Sequence, residues 1–286
     1  MESLPFSASK ALCETHASSF SLAAQFLPEE KRNASYALYG FCRATDQLVD
    51  GKGTLKEKNE TLNQWKSALE KEWTTKDSTH PLLGAFVSTC TTYFIPREWG
   101  FRLIEGLRKD LTKKDYETFD ELYGYCFSAA AIPGILMAYV MGAKENAMEY
   151  AISLGIGMQL TNILRDAKED FEMGRVYLPQ EEMRQFGYFQ GDLKNHTQNN
   201  AFHEMMKFNI ARARDYYTHA EKGIEMLDED ARLGMRLCLV FYREILSEIE
   251  RANYDVFSSR VFVSEKTKKE ILKEQLADVA VARTFK

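Results

Sequence analysis

The chain has 286 residues, of which 45% are hydrophobic and 28% are charged, a composition typical of a water-soluble globular protein. Its net charge of −5 lacks the basic excess that nucleic-acid binding requires. The cysteines and histidines are scattered without zinc-type spacing, which predicts reduced cysteines in a cytosolic protein. We find no N-terminal signal pattern and no apolar run of membrane-spanning length, so we expect a cytoplasmic protein that is at most peripheral to a membrane.

Apolar residues recur at helical spacing along most of the chain, and only six prolines interrupt them, which predicts a mostly helical protein. Between residues 51 and 80 the chain is polar, apart from one stripe formed by Leu62, Trp65, Leu69 and Trp73. We find no repeat or linker, so we expect a single domain over residues 1–286. In chain order, the predicted helices cover residues 8–26, 28–50, 51–80, 81–90, a segment after Pro96, 117–142, 145–172, a segment from Pro179, 201–227, 229–254, and a peripheral amphipathic segment from about residue 261.

The predicted helix over residues 117–142 is unusual because small residues precede Pro133. A proline inside a helix removes one backbone hydrogen bond and is expected to kink the helix. Small side chains at such a kink would let a ligand approach the backbone closely, and tight packing between helices would explain them equally well. The polar segment 187–200 is predicted to be a loop with at most one helical turn.

Two acid pairs stand at the ends of two predicted helices. Asp46 and Asp50 precede Gly51, and Asp166 and Asp170 stand shortly before Gly174. Residues four apart share one helix face, at a separation of about 6 Å along the axis. Because carboxylates at a helix C-terminus oppose the macrodipole, we expect a cation between them. Oxygen ligands suit Mg²⁺, with Mn²⁺ as a second candidate. For either pair alone, a solvated polar face is the alternative interpretation.

Five sequence blocks resemble the squalene/phytoene synthase family, which condenses prenyl diphosphates head to head. They occur in the family's order and span residues 16–263. The resemblance implies an all-α isoprenoid-synthase bundle, a single domain with a central cavity. The residues that carry it are His16 with Ser19, Phe20 and Ser21; Tyr39 to Arg43 with Asp46 and Asp50; Tyr125 to Phe127; Gln159 to Asp170 with Gly174 to Pro179; and Tyr242, Asn253, Tyr254 and Arg260.

The resemblance implies a Mg²⁺-dependent transferase that joins two allylic prenyl diphosphates through a cyclopropylcarbinyl diphosphate. Diphosphate is released, and the product is a linear carotenoid precursor. That precursor is dehydrosqualene from fifteen-carbon farnesyl diphosphate or phytoene from twenty-carbon geranylgeranyl diphosphate. We expect no requirement for NADPH. Because the product is a hydrocarbon, we also expect transient peripheral membrane contact during its release, and the sequence leaves the oligomeric state open.

The resemblance also assigns roles to individual residues. Arginine can grip a diphosphate with two hydrogen bonds, and salt bridges to the acid pairs are the alternative role of the arginines. The tyrosines are expected to face a carbocation or to handle the lost proton, with ordinary core packing as the alternative. The predicted metal ligands are Asp46, Asp50, Asn162, Asp166 and Asp170; the substrate-binding residues are His16, Ser19, Phe20, Gln159, Asn162, Arg165 and Arg260; and the catalytic residues are Tyr39, Arg43, Tyr125 and Tyr242.

Several positions depart from the family pattern. Gln47 replaces a third acid of the first pair, while Ala131 and Pro133 are expected to reshape the cavity. We expect Ala24 and Tyr36 to face the hydrocarbon tunnel, where one small and one bulky side chain favour opposite tail lengths. Tail length is therefore left open. The alternatives are a reductive squalene synthase, a head-to-tail prenyltransferase, a terpene cyclase, and a non-catalytic helical interaction protein on the same fold.

Overall fold

The computed structural model describes residues 4–75 and 80–284. Within these residues the chain is mostly helical and contains no β-strand. Its β-type pairing consists of one isolated bridge between Asp115 and Val176. The prediction of an all-α protein is therefore confirmed. The α-helices are α1 (Leu4–His16), α2 (Ser18–Ala24), α3 (Glu29–Asp50), α4 (Leu55–Thr75), α5 (Pro81–Thr92), α6 (Glu98–Arg108), α7 (Phe119–Cys126), α8 (Ile132–Val140), α9 (Met148–Arg165), α10 (Ala167–Glu172), α11 (Gln180–Phe186), α12 (Gln190–Lys194), α13 (Asn200–Glu221), α14 (Glu229–Arg251) and α15 (Glu265–Thr284).

Most helix ends lie where local chemistry predicts them. Helix α3 begins directly after Pro28, has Glu29 and Glu30 in its first turn and ends at Asp50 before Gly51. The polar segment 187–200 contains only the five-residue helix α12, as expected. On α4 the predicted apolar stripe is buried at Leu62, Trp65 and Leu69.

The prediction of a single helix over residues 8–26 is wrong, because the helix is interrupted at Ala17. Ala17 has φ −138° and ψ 60°, outside the helical region, and divides the segment into α1 and α2. The break lies beside His16, Ser18 and Ser19, and all three line the central cavity. Neither proline nor glycine marks it, so local sequence contains no stop signal.

The kink expected at Pro133 is a π-helical segment instead. Residues Phe127–Ala131 form one π-turn between α7 and α8, and Pro133 lies in the first turn of α8. The wider turn accommodates the missing proline donor, and such insertions are frequent at functional sites. The combined rod Phe119–Val140 has a window of mean hydropathy 1.4 and, by length and composition alone, could cross a membrane. The expectation of no such run is therefore wrong; here the rod packs on α9, α6 and α3 and lines the cavity.

The helix predicted over residues 145–172 is also divided. It consists of a 3₁₀ turn (Glu145–Ala147), α9 and α10, with Asp166 at the bend between α9 and α10. Backbone hydrogen bonds still run from Asp166 N–H to Asn162 and from Asp170 N–H to Asp166, so the two acids stay one turn apart. Gly174, at φ 76°, takes the left-handed conformation that ends the segment, as predicted.

Two large apolar clusters lie on either side of a cavity. The first is formed mainly by α9, α13 and α14, with α9 packed along α13, and the second by α1, α3, α5 and α6. Phe127 and Met235 pack against both clusters. The interpretation of residues 1–286 as one domain stays a prediction.

The basic C-terminal helix is only in part the peripheral element that the sequence predicts. Lys266 on α15 is 87% exposed, whereas the side chain of Lys268 is 6% exposed. Ile271 packs with Phe241 and Leu237 of α14 in a third apolar cluster. The helix is thus docked on the bundle, and it brings Lys268 to the cavity.

Candidate active site

A cavity of about 820 Å³ runs between the two main apolar clusters. This volume lies in the upper part of the range of small-molecule sites. Every residue that the sequence predicts for the metal, substrate-binding and catalytic sets lines it. The sequence assigned these residues from separate motifs, and the fold brings them to one space; their individual roles stay predictions.

The two acid pairs face each other across one end of the cavity. Asp46 and Asp50 come from the last turn of α3, while Asp166 and Asp170 come from the bend after α9 and from α10. Burial, followed by the charge of Asp50, raises the pKa of Asp46 to about 6. Burial and the charge of Asp166 raise the pKa of Asp170 to about 8, and Asp50 contributes from the opposite helix. The pairs are therefore close enough to repel each other.

These residues fit a hard divalent cation. Within the described part of the chain, no three His, Cys, Asp or Glu side chains converge into one closed metal site. Mg²⁺ commonly takes one or two carboxylates and completes its shell with water and substrate phosphate, so an open set of oxygens suits it. Glu169 adds a buried carboxylate oxygen, Oε2, that has no hydrogen-bond partner and lies on a cavity-lining side chain. Glu169 is not among the site residues predicted from the sequence.

Three predicted arginines bind the acids directly. Arg43 donates from Nη1 to Asp46 at 2.8 Å, and Asp166 accepts from Arg165 at 2.7 Å and from Arg260 at 2.9 Å. The salt bridges that were the alternative interpretation are therefore present. Nε of Arg43 is buried without a hydrogen-bond partner.

A buried polar network that contacts Asp50 of the first acid pair was not predicted from the sequence. Arg175 donates to Asp50 at 2.6 Å and lies 3.7 Å from Asp110, which is only 3% exposed. Asp110 also accepts hydrogen bonds from Tyr177 at 2.7 Å and from Tyr116 at 3.0 Å. Burial raises the pKa of Asp110, and the two hydroxyls and Arg175 partly offset this effect. The network fixes Arg175, which in turn holds Asp50.

Three predicted tyrosines border the space between the charged end and the apolar body. Burial raises the pKa of Tyr39, Tyr125 and Tyr242, so all three are neutral phenols near pH 7. Tyr125 stacks on Tyr177 with ring centroids 4.7 Å apart, and Tyr39 stacks on Phe20 at 5.8 Å. Neutral rings held in this way can face a cation.

The rest of the cavity wall is apolar. It includes small residues of the π-helical segment and of α9, such as Ala129, Ala130 and Gly155. A Cβ on Gly155 would lie 2.4 Å from the carbonyl oxygen of Ala130, so this wall depends on close backbone packing. The expectation that Ala24 and Tyr36 face the tunnel is wrong. They are 1% and 3% exposed, and both pack in the N-terminal cluster rather than along the cavity.

An all-α bundle with facing aspartate pairs at one end of an apolar cavity defines the class of isoprenoid synthases. The squalene/phytoene synthase family model matches residues 13–267. The 15-cis-phytoene synthase of Synechococcus elongatus is 40% identical over 261 residues, which are 87% of this chain and 84% of that protein. The phytoene synthase of Arthrospira platensis is 40% identical over 262 residues, again 87% and 84%. A crystal structure of a dehydrosqualene synthase in complex with ligand has a TM-score of 0.89 at 28% identity and covers 97% of both chains.

The chain therefore belongs to the squalene/phytoene synthase family, and it is an enzyme of the prenyltransferase type. The fold class, the family and the enzyme class expected from the sequence are all confirmed.

Proposed function

We propose that this protein condenses two allylic prenyl diphosphates head to head and releases a linear carotenoid precursor, phytoene or dehydrosqualene. The observation that carries the proposal is the arrangement of the two acid pairs and three arginines at one end of a long apolar cavity. The names of the phytoene synthase relatives and of the dehydrosqualene synthase structure support this reaction class.

The charged end would bind the two diphosphates. Arg43, Arg165 and Arg260 offer guanidinium donors, which can bind phosphate oxygens as well as the carboxylates that they contact. Gln159 and Asn162 lie on the same face of α9 and offer amide groups for orientation, and the amide nitrogen of Gln159 is 3.4 Å from the Tyr125 hydroxyl. His16, Ser19 and Phe20 also line the cavity, next to the helix interruption at Ala17, and we propose that they contact the diphosphates.

The aspartates would hold the metal. When bound, Mg²⁺ supplies Lewis-acid and template chemistry, withdrawing charge from the leaving diphosphate. Asp46, Asp50, Asp166 and Asp170 are its proposed protein ligands, with Asn162 beside them. Burial is the main cause of the raised pKa values of Asp46 and Asp170, and the charge of a neighbouring carboxylate adds to it; a bound cation would offset both effects.

The body of the cavity would protect the cation. Departure of the first diphosphate leaves an allylic carbocation, which the double bond of the second substrate attacks. Apolar walls exclude water that would otherwise capture the cation. Tyr39, Tyr125 and Tyr242 present neutral rings to positive charge. One proton is lost as the cyclopropane ring of the cyclopropylcarbinyl diphosphate closes. A second proton is lost after the second ionisation, which gives a central conjugated triene without any hydride donor, so the proposed reaction needs no NADPH.

Product identification tests the proposal. Purified protein is incubated separately with farnesyl and geranylgeranyl diphosphate, Mg²⁺ and no nicotinamide, and EDTA serves as the control. We expect a hydrocarbon with twice the substrate's carbon number and a triene absorbance. Squalene formed only on addition of NADPH would identify a reductive enzyme instead, and a longer diphosphate formed only on addition of isopentenyl diphosphate would identify head-to-tail elongation.

Peripheral membrane contact and a cytoplasmic location are part of the proposal. Phe262 is 74% exposed and Met173 is 51% exposed, and both line the cavity, so apolar surface continues from the cavity to solvent. A hydrocarbon leaving by this route would meet a bilayer without crossing water.

A further inference from the structure

The end of the cavity opposite the acid pairs is built by two connections that touch each other, from α8 to α9 and from α13 to α14. Asp228 N–H donates to the carbonyl of Met141 at 3.0 Å, and Lys144 N–H donates to Met226 at 3.4 Å. We call this region the cavity floor. The lining residues that form it are Met141, Ala147, Tyr150, Gly223, Ile224 and Leu227. Apart from one phenol hydroxyl the floor is apolar, so it suits the end of a hydrocarbon tail.

The length of helix α9 gives the distance from this floor to the acid pairs. Tyr150 lies in the first turn of α9 and Asp166 directly follows its last residue, which places the two Cα atoms about 24 Å apart at the α-helical rise. An extended carbon chain advances about 1.2 Å per bond, as the extended peptide backbone does. A farnesyl tail then reaches about 14 Å and a geranylgeranyl tail about 19 Å. The remaining depth is needed by the diphosphate and its ion, so the longer tail would end at Tyr150.

The ring of Tyr150 is held in place from two sides. A Cβ on Gly223 would lie 2.4 Å from Cβ of Tyr150, so the tyrosine can occupy its position only because residue 223 has no side chain. The rings of Tyr150 and His219 lie with centroids 4.8 Å apart, and the His219 imidazole is fixed by a 2.8 Å hydrogen bond between Nδ1 and the Ser153 hydroxyl. A braced ring at the floor is a fixed obstacle rather than a mobile surface side chain.

We propose that Tyr150, braced by Gly223 and His219, is the stop against which the end of the prenyl tail rests, and that it sets the longest tail the enzyme accepts. The proposal rests on the proposed condensation of prenyl diphosphates. It replaces Ala24 and Tyr36, which do not line the cavity, as the determinants of tail length.

The test is a competition among farnesyl, geranylgeranyl and the twenty-five-carbon geranylfarnesyl diphosphate, with products separated by carbon number. In Tyr150→Ala we expect the ratio of kcat/KM for the twenty-five-carbon over the twenty-carbon substrate to rise at least about tenfold, because a steric limit on one isoprene unit is removed. Tyr150→Phe keeps the ring and should retain the parent ratio. Ala151→Phe, which fills the cavity one residue closer to the acids, should shift the preference toward farnesyl diphosphate.

The matched control is Tyr216→Ala, which truncates a half-buried tyrosine of α13 that packs against the core and does not line the cavity. Its substrate ratios should equal those of the parent. If Tyr150→Ala does not fold, Tyr150→Leu and Ala151→Phe test whether Tyr150 limits the tail length. Unchanged ratios in a folded truncation (Tyr150→Ala or Tyr150→Leu) and in folded Ala151→Phe overturn the stop, whereas a parent protein that makes no hydrocarbon from any of the three substrates overturns the proposed function instead.

Discussion

The two ends of the cavity are built by opposite means. At the charged end, carboxylates and guanidinium groups from α3, α10 and the segment after α14 are brought together, and burial raises the pKa of Asp46 and Asp170. At the floor, Met141, Gly223 and their neighbours meet through backbone contacts of two connections. The comparison teaches that the charged end, where we propose that diphosphates and metal bind, is assembled at the expense of stability, while the floor, where we propose that tail length is selected, adds apolar burial.

The largest effect should follow from neutralising one acid of either pair. We expect Asp46→Asn and Asp166→Asn each to lower kcat/KM by about 10²–10³-fold, because each removes a proposed ligand of the Mg²⁺ that would stabilise the leaving diphosphate. Steady-state product formation measures the loss, and circular dichroism and thermal melting check the fold. Asp120→Asn, an exposed acid in the first turn of α7, is the matched control and should be silent. If both cavity variants keep full turnover, the assigned metal site is wrong.

This charged end was largely predictable from sequence, because an i, i+4 acid pair before glycine violates the helix dipole preference and so attracts notice. The supporting network was not. Asp110 stands next to Lys109 in a segment that looks solvated, and only tertiary packing buries it against Tyr116 and Tyr177.

Most helices were also predictable, since apolar periodicity and prolines such as Pro28 and Pro81 mark them. The break at Ala17 was not, because no proline or glycine marks it. Pro133 marks an irregularity in the segment 117–142, but it does not specify the π-turn Phe127–Ala131 that the structure contains. The floor was not predicted either. Tyr150 and Gly223 are far apart in sequence, and no spacing rule connects them.

Without metal, the stability of the protein should depend on pH. A carboxyl whose pKa is higher in the folded than in the unfolded state binds more protons when folded, so it favours folding at low pH and loses this effect as pH rises. For Asp46 and Asp170 the window runs from about 4 to about 8. We therefore expect the free energy of unfolding in EDTA to fall between pH 5 and pH 8, with the larger contribution from Asp170, whose pKa is raised further.

Urea denaturation at the two pH values, with EDTA or with Mg²⁺, measures this effect. Asp170→Asn should be more stable than the parent at pH 8 in EDTA and should show a shallower pH dependence, although we expect it to be less active. Added Mg²⁺ should stabilise the parent more than the variant at pH 8. If the free energy of unfolding depends on pH equally in parent and variant, Asp170 is not the carboxyl group that causes the pH dependence.

The smallest effect should come from the network that supports the charged end. Tyr177→Phe removes the hydroxyl that donates to buried Asp110 at 2.7 Å, with little change in ring packing. We expect a loss of about 1.5–3 kcal/mol in the free energy of unfolding, because a buried carboxylate loses a charge-assisted hydrogen bond. Since Asp110 then holds Arg175 less firmly, and Arg175 holds Asp50, the Mg²⁺ concentration needed for half-maximal activity should rise while the tail-length preference stays unchanged. Tyr123→Phe, a half-buried tyrosine outside the network, is the control. Equal stability and equal Mg²⁺ dependence in the two variants would contradict this prediction. They would show that the Asp110 network does not position Asp50, which helix α3 alone would then hold in place.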